Sequence, residues 1–237
     1  MRKLLLGLVL GAMSATAASA VSVGVAGSDR YSSFLNANGH SSSGVALTAP
    51  ALANLDVLIL NRVNGNQAVV DFVNNGGLLI TEWSASDWAL DTANLLDARD
   101  VGGGFVASGT TITFTAAGQA TNLDDRSGPS YNTNGFATEF FRRFDNIGAG
   151  VEVLATRPGD EAVILAGSYG LGTVLIMGYD WNDQFYGGAI DTGNEQVLLE
   201  AVEFSLSPVS PVPLPAGAPL LLGALGIFVM LRRRKTA

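Results

Sequence analysis

The 237-residue chain contains no cysteine. That absence excludes disulfides, thiolate-held metals and a cysteine nucleophile, so whatever stability the chain has comes from its core alone. Basic charge is also scarce. Six of the 13 Lys and Arg residues (Arg2, Lys3, Arg232, Arg233, Arg234 and Lys235) stand at the two ends. The stretch between them carries seven basic residues against all 21 acidic ones, a net charge of −14. Such a body repels nucleic acid and anionic lipid, so no nucleic-acid partner is expected. It suits salty surroundings or nearby divalent cations.

The two ends are of a different character. Arg2-Lys3 precedes the apolar run Leu4 to Ala12, which is too short to span a bilayer. Small residues follow, ending in Ala18-Ser19-Ala20. A charged start, a short apolar run and an A-x-A ending predict a secretory signal peptide over residues 1–20, with cleavage after Ala20 by signal peptidase. At the other end no charged residue occurs from Leu214 to Leu231. As a helix this stretch reaches about 27 Å, close to a hydrocarbon core once flanking arginines snorkel. The stop formed by Arg232, Arg233, Arg234 and Lys235 places the C-terminus in the cytoplasm. An exported amino end and a cytoplasmic carboxyl end are mutually consistent.

Just before that helix stands Val212-Pro213-Leu214-Pro215-Ala216. Two prolines one residue apart hold the backbone extended, as a protease requires of its substrate. The motif, the apolar helix and the terminal cations over 212–237 resemble the PEP-CTERM class of bacterial sorting signal in its VPLPA variant. The parent motif is Pro-Glu-Pro, and Leu214 stands between the prolines here. The resemblance implies processing near the motif by an exosortase, in a Gram-negative bacterium that makes extracellular polysaccharide. It implies an inner-membrane single-pass intermediate, then the cell surface or the exterior. A plain single-pass anchor is the alternative.

Residues 21–206 form one domain-sized body, joined to the tail by a proline-rich linker over 207–213. Strands and helices alternate along it. Val21 to Val25 opens as a strand, and Arg30 to Asn38 follows as a short helix. Leu55 to Leu60 and Leu78 to Thr81 are apolar without alternation, as in strands buried on both faces. Between them, Asn66 to Asn74 has helical spacing and stops at Asn75-Gly76-Gly77. A further helix is predicted over Asp87 to Ala98. Residues 101–134, rich in Gly, Thr, Ser and Asn, read as a loop-rich insertion with one strand at Thr111 to Thr115. Glu139 to Phe144 is helical or extended. Strands follow at Val151 to Ala155, Ala162 to Ala166 and Thr173 to Met177, the last two joined as a hairpin at Tyr169 to Gly172. A helix over Asn194 to Phe204 closes the body. This order predicts an α/β fold with a mostly parallel sheet and helices on both faces.

Several stretches carry a family resemblance: Leu35 to His40, Leu55 to Leu60, Phe72 to Ile80, and Gly170 to Trp181. In order and spacing they resemble the class I glutamine amidotransferase-like (flavodoxin-like) superfamily and its ThuA-like branch. Amidotransferase members carry a nucleophilic cysteine at a strand-to-helix elbow. This chain has none, so that activity does not transfer.

In an open parallel sheet, ligands sit outside the C-terminal ends of the strands. Glu82-Trp83 and Asp180-Trp181-Asn182-Asp183 are expected there. Carboxylates beside indole faces suit a sugar; the same oxygens could hold Ca²⁺, which takes 6–8 oxygen ligands. They could equally be strand-end caps with tryptophans closing the core edge. His40 reads as capping carbonyls at a helix end, and Arg142-Arg143 as a solvated pair. No residue is assigned as catalytic and no metal site is assigned. The expectation is a non-catalytic, exported protein associated with extracellular polysaccharide or matrix. Its alternative is a secreted carbohydrate-active hydrolase using Glu82 and Asp180.

Overall fold

A computed structural model describes residues 20–105, 110–132, 140–179 and 192–204. The chain begins with β1 (Ser22–Gly27), α1 (Ser32–Ala37), β2 (Ser41–Gly44), α2 (Ala49–Leu52), β3 (Val57–Asn61), α3 (Gln67–Asn74) and β4 (Leu78–Glu82). A short helix α4 (Ala85–Asp87) then runs into a π-helical turn over Trp88–Thr92. It continues with β5 (Arg99–Phe105), β6 (Thr111–Phe114), α5 (Ala116–Ala120), β7 (Ser130–Asn132), β8 (Phe140–Asp145), β9 (Val151–Arg157), β10 (Glu161–Tyr169), β11 (Gly172–Met177) and α6 (Thr192–Glu203).

One sheet runs in the order β2-β1-β3-β4-β11-β10-β9-β6-β7, with β8 branching from β10 and β5 pairing β8. The first five strands are parallel. Every described pairing beyond β11 is antiparallel, because the β10–β11 hairpin reverses the chain at Gly170 and Leu171. The sheet is therefore mixed rather than mostly parallel. Gly170 has φ +60°, and a Cβ there would lie 2.2 Å from Asn74 Oδ1, so only glycine makes this reversal against α3.

Strands β3 and β4 are buried at every position, as their unbroken apolar runs predict. Successive side chains point to opposite faces. Val57 and Ile59 join Tyr31 and Leu35 from the α1 side and Val197 and Val202 from α6. Leu58 and Leu60 face Val69 and Val73 of α3 together with Trp88 and Leu90. Helices thus cover both faces. At the start of α3, Asn66 accepts a hydrogen bond from Ala68 N at 2.9 Å, a side-chain cap satisfying one free amide.

Three local expectations change. The helix expected over Asp87–Ala98 is instead α4 and its wide turn, closed by Ala93 N to Trp88 O at 2.8 Å. Trp88, Ala89, Leu90, Leu95 and Leu96 are all buried, which no single helical stripe allows. The Gly-rich middle holds β5, β7 and α5 as well as the expected β6, and Phe140–Asp145 is extended. The polar edge strand β2 and the short α2 carry no periodic signal. Among the described residues no helix is long and apolar enough to cross a membrane. The signal sequence up to Ser19 and the whole sorting tail (Val212, Pro213, Leu214, Pro215, Ala216, the helix 214–231 and its four cations) lie outside them.

Candidate functional site at the strand ends

Asn61 ends β3, Glu82 ends β4, and the two face each other in register. Both side chains are buried, at 1% and 0% exposure. Immediately after them, Arg62 and Trp83 both adopt left-handed backbone conformations, with φ +56° and +47°. For residues with a Cβ this costs about 1–2 kcal/mol apiece. The Arg62 guanidinium lies over the Trp83 ring, 4.7 Å from its centroid, a cation–π contact of about 0.5–1 kcal/mol when exposed. Two adjacent parallel strands therefore end in the same strained turn, and the residues that absorb the strain touch each other.

The surroundings hold this pair in place. Tyr31, fully buried after β1, donates its hydroxyl to Glu82 Oε2 at 3.2 Å. Asn61 Nδ2 donates to the Ser28 carbonyl. Gly27 has φ +101°, and a Cβ there would come 2.1 Å from the Asn61 carbonyl, so β1 can approach β3 this closely only as glycine. Trp83 N donates to the Tyr179 carbonyl at 3.1 Å, carrying the β4–β11 contact beyond the ladder. Ser86 Oγ donates to the Trp83 carbonyl at 2.6 Å and stands 2.5 Å from buried Asp100 Oδ2. Asp100 also receives Arg142 Nε at 2.6 Å and Gly102 N at 2.7 Å. Arg142 is thus the partly buried partner of Asp100 and not half of a solvated pair; exposed Arg143 pairs with Glu161 at 2.7 Å.

Of the ligand residues expected from sequence, Glu82 and Trp83 fall at the C-terminal end of β4. Asp180, Trp181 and Asp183 lie outside the described residues. The elbow between β4 and α4 carries Trp83, whose indole supplies no nucleophile. Neither Tyr31 nor Asn61 announces itself in the sequence; the only signal was that each closes a strand or opens a helix. The described residues hold no group of three His, Asp or Glu placed for a metal ion. A groove of about 600 Å³, lined by Leu52, Leu55, Asp56, Asp71, Phe72 and Gly77, lies at the opposite ends of β3 and β4, remote from this chemistry.

A second polar cluster sits where α6 meets the start of β2. The ring of His40 faces Glu203, Nε2 to Oε1 at 3.6 Å, and Glu203 binds Arg126 at 2.7 Å. His40 caps no carbonyl with its ring; only its backbone amide returns to Leu35 O, at 3.1 Å. Burial holds its pKa below the usual value, against the pull of Glu203. Glu200 accepts the Arg126 amide through Oε1 while Oε2 is buried without a hydrogen bond. Burial pushes its carboxyl up to about 7, opposed by Arg126 and assisted by Asp125 and Asp124.

No family model matches this chain and no curated protein matches its sequence. Solved structures do resemble it. A cytoplasmic protein of Salmonella typhimurium LT2 is similar with a TM-score of 0.57 and 14% identity, over 76% of this chain and 97% of that one. A ThuA-like protein of Bacteroides uniformis gives 0.56 and 13%, over 84% and 96%. The β-galactosidase of Bacillus circulans sp. alkalophilus gives 0.54 and 13%, over 77% of this chain but only 30% of the enzyme. At such identities the likeness is one of fold: the described body is a mixed-sheet α/β domain of the kind found in ThuA-like proteins.

Proposed function

We propose that the chain is an exported, surface-sorted, non-catalytic α/β protein that engages extracellular polysaccharide at the strand ends and is processed at its tail by an exosortase. The observation that carries the binding role is the paired left-handed turn at Arg62 and Trp83. Strained non-glycine residues gather at functional sites because the surrounding fold must hold them there. Here it holds a partly exposed indole, with a guanidinium on one face, at the sheet edge where open α/β folds bind ligands. A sugar ring stacked on the indole fits that chemistry.

A non-catalytic role is supported by the same site. The chain has no thiol, its elbow carries an indole, and Glu82 is sealed beneath Tyr31. A glycoside hydrolase of the two-carboxylate kind needs carboxyls that reach its substrate. The β-galactosidase likeness covers under a third of that enzyme and transfers no activity. Ca²⁺ would have to draw on Asp180 and Asp183, since the described residues hold no ligand cluster.

The test uses full-length protein purified in detergent, on an array of acidic and neutral bacterial glycans. Binding without turnover, lost in Trp83→Ala, supports the proposal. Turnover abolished by Glu82→Gln would establish the hydrolase instead. Mass spectrometry of the protein from native membranes tests the sorting half: a chain ending near Pro215 is expected, and an intact C-terminus at the cell surface refutes processing.

A further inference from the structure

We infer that the groove between α2 and α3 docks a peptide segment of a partner protein in which basic residues flank apolar ones. The groove lies at the opposite end of the sheet from Trp83, and its role stands whether or not a glycan binds there. Its floor is apolar: Leu52, Leu55 and Phe72 line a space of about 600 Å³. A Cβ at Gly77 would come 2.2 Å from the Phe72 ring, so the ring takes this place only because residue 77 has no side chain. Beside the groove, the β10–β11 turn rests on α3 through Leu171 N to Asn74 O at 3.1 Å. The Leu171 side chain is 84% exposed and is the one exposed large apolar group among the described residues. Apolar surface gathered in this way and rimmed by polar groups marks an interaction site.

Charge selects the occupant. Asp56, just before β3, and Asp71, on α3, both line the groove and are both exposed. Asp56 Oδ2 accepts Ser22 N at 2.8 Å and Asp71 Oδ1 accepts Gln67 Nε2 at 2.9 Å. Neither donor carries a charge, so neither carboxylate is neutralised by it. From Tyr31 to Ala98 the only basic residue is Arg62, beyond the far end of β3. The strand between Asp56 and Arg62 spans roughly 20 Å at about 3.3 Å per residue, whereas screening at physiological salt acts within about 8 Å. Anything that covers the groove takes water from both carboxylates, and a desolvated charge left unpaired is costly. A neutral apolar segment therefore does not suit it. A second copy of this acidic body or an anionic lipid surface brings like charge. A basic and apolar peptide supplies guanidinium or ammonium donors at the two rims and an apolar side chain for the floor.

The experiment uses the full-length protein in detergent with fluorescent hexapeptides, read by anisotropy. A peptide alternating leucine with arginine should bind, and less tightly as salt rises from about 50 to about 500 mM. Peptides alternating leucine with glutamate, or serine with arginine, should bind about tenfold less well or worse. Asp71→Arg should weaken the leucine–arginine peptide about tenfold or more, and Asp71→Asn, which keeps an acceptor for Gln67, by less. Glu152→Arg makes the same change of net charge at an exposed position of β9 and should leave binding unchanged. Equal losses in Asp71→Arg and Glu152→Arg would mean attraction to the acidic body as a whole and overturn the proposal. Equal binding of the serine–arginine or the leucine–glutamate peptide does the same. A photo-crosslinker placed at Ala53 on the groove wall should capture the leucine–arginine peptide. Capture of a second copy or of the chain's own tail, with that peptide present in excess, shows a different occupant and also overturns it.

Discussion

The Tyr31 hydroxyl donates to the Glu82 carboxylate at 3.2 Å, joining residues 51 positions apart. The contact ties the chain leaving β1 to the end of β4, passing over β3 between them. It holds a carboxylate at 0% exposure directly beneath the strained Trp83. Tyr31→Phe removes this donor and leaves the ring volume. The expected cost is about 1–2 kcal/mol in urea unfolding. Loss of glycan binding beyond that of an equally destabilised core variant would show that the contact also positions the site.

Position 83 reverses the ordinary ranking of alanine and glycine. Both truncations discard the indole, but only alanine keeps a Cβ at φ +47°. Trp83→Gly is therefore expected to be more stable than Trp83→Ala by about 1 kcal/mol, by denaturant midpoint. Equal stability, or alanine ahead, would show that the left-handed turn is not intrinsic to the fold.

Asp100 is the only carboxylate the described network gives to Arg142, and its side chain is wholly buried. Asp100→Ala strands a guanidinium that is 15% exposed and removes the acceptor for Gly102 N. A loss of about 3–5 kcal/mol is expected. Hydrogen exchange should accelerate first in β5 and β8 and in the Trp83–Ser86 elbow, while the β3–β4 amides respond last.

Stability should depend on pH through Glu200. Below its ordinary value of 4.5 the carboxyl is protonated in both folded and unfolded chains. Between 4.5 and about 7 the unfolded chain ionises while the folded one keeps its proton. Unfolding therefore becomes easier as pH rises through that window, by up to about 3 kcal/mol. Glu200→Gln should remove that slope and be the more stable protein at pH 8. His40 acts in the opposite sense: with its pKa lowered from 6.5, its contribution is present above 6.5 and lost on acidification. Comparing Glu200→Gln with wild type at each pH separates the two.

Much of the scaffold was legible in the chain. Val57–Leu60 and Leu78–Ile80 are apolar without a break, and only a strand covered on both faces demands that. Asn66 with Val69 and Val73 marked the start and the buried stripe of α3. The β2 strand, Ser-Ser-Ser-Gly, gave no sign, since an edge strand is held by its neighbour's backbone and not by its own side chains. The turn after Asp87 reads as a helix in the sequence because its five buried apolar residues look helical until the core takes them from several directions.

By itself the sequence determined the alternation of strands and helices, the acidic body, the lack of any thiol, and the position of Glu82 and Trp83 at a strand end. These follow from short-range pattern and composition, which need no partner elsewhere in the chain. Tertiary structure alone decided that Tyr31 covers Glu82, that Arg62 lies on Trp83, that Asp100 holds Arg142, and that Glu200 is buried beside Arg126. Each of these joins residues distant in sequence, and only the register of the sheet and the packing of α6 bring them within reach.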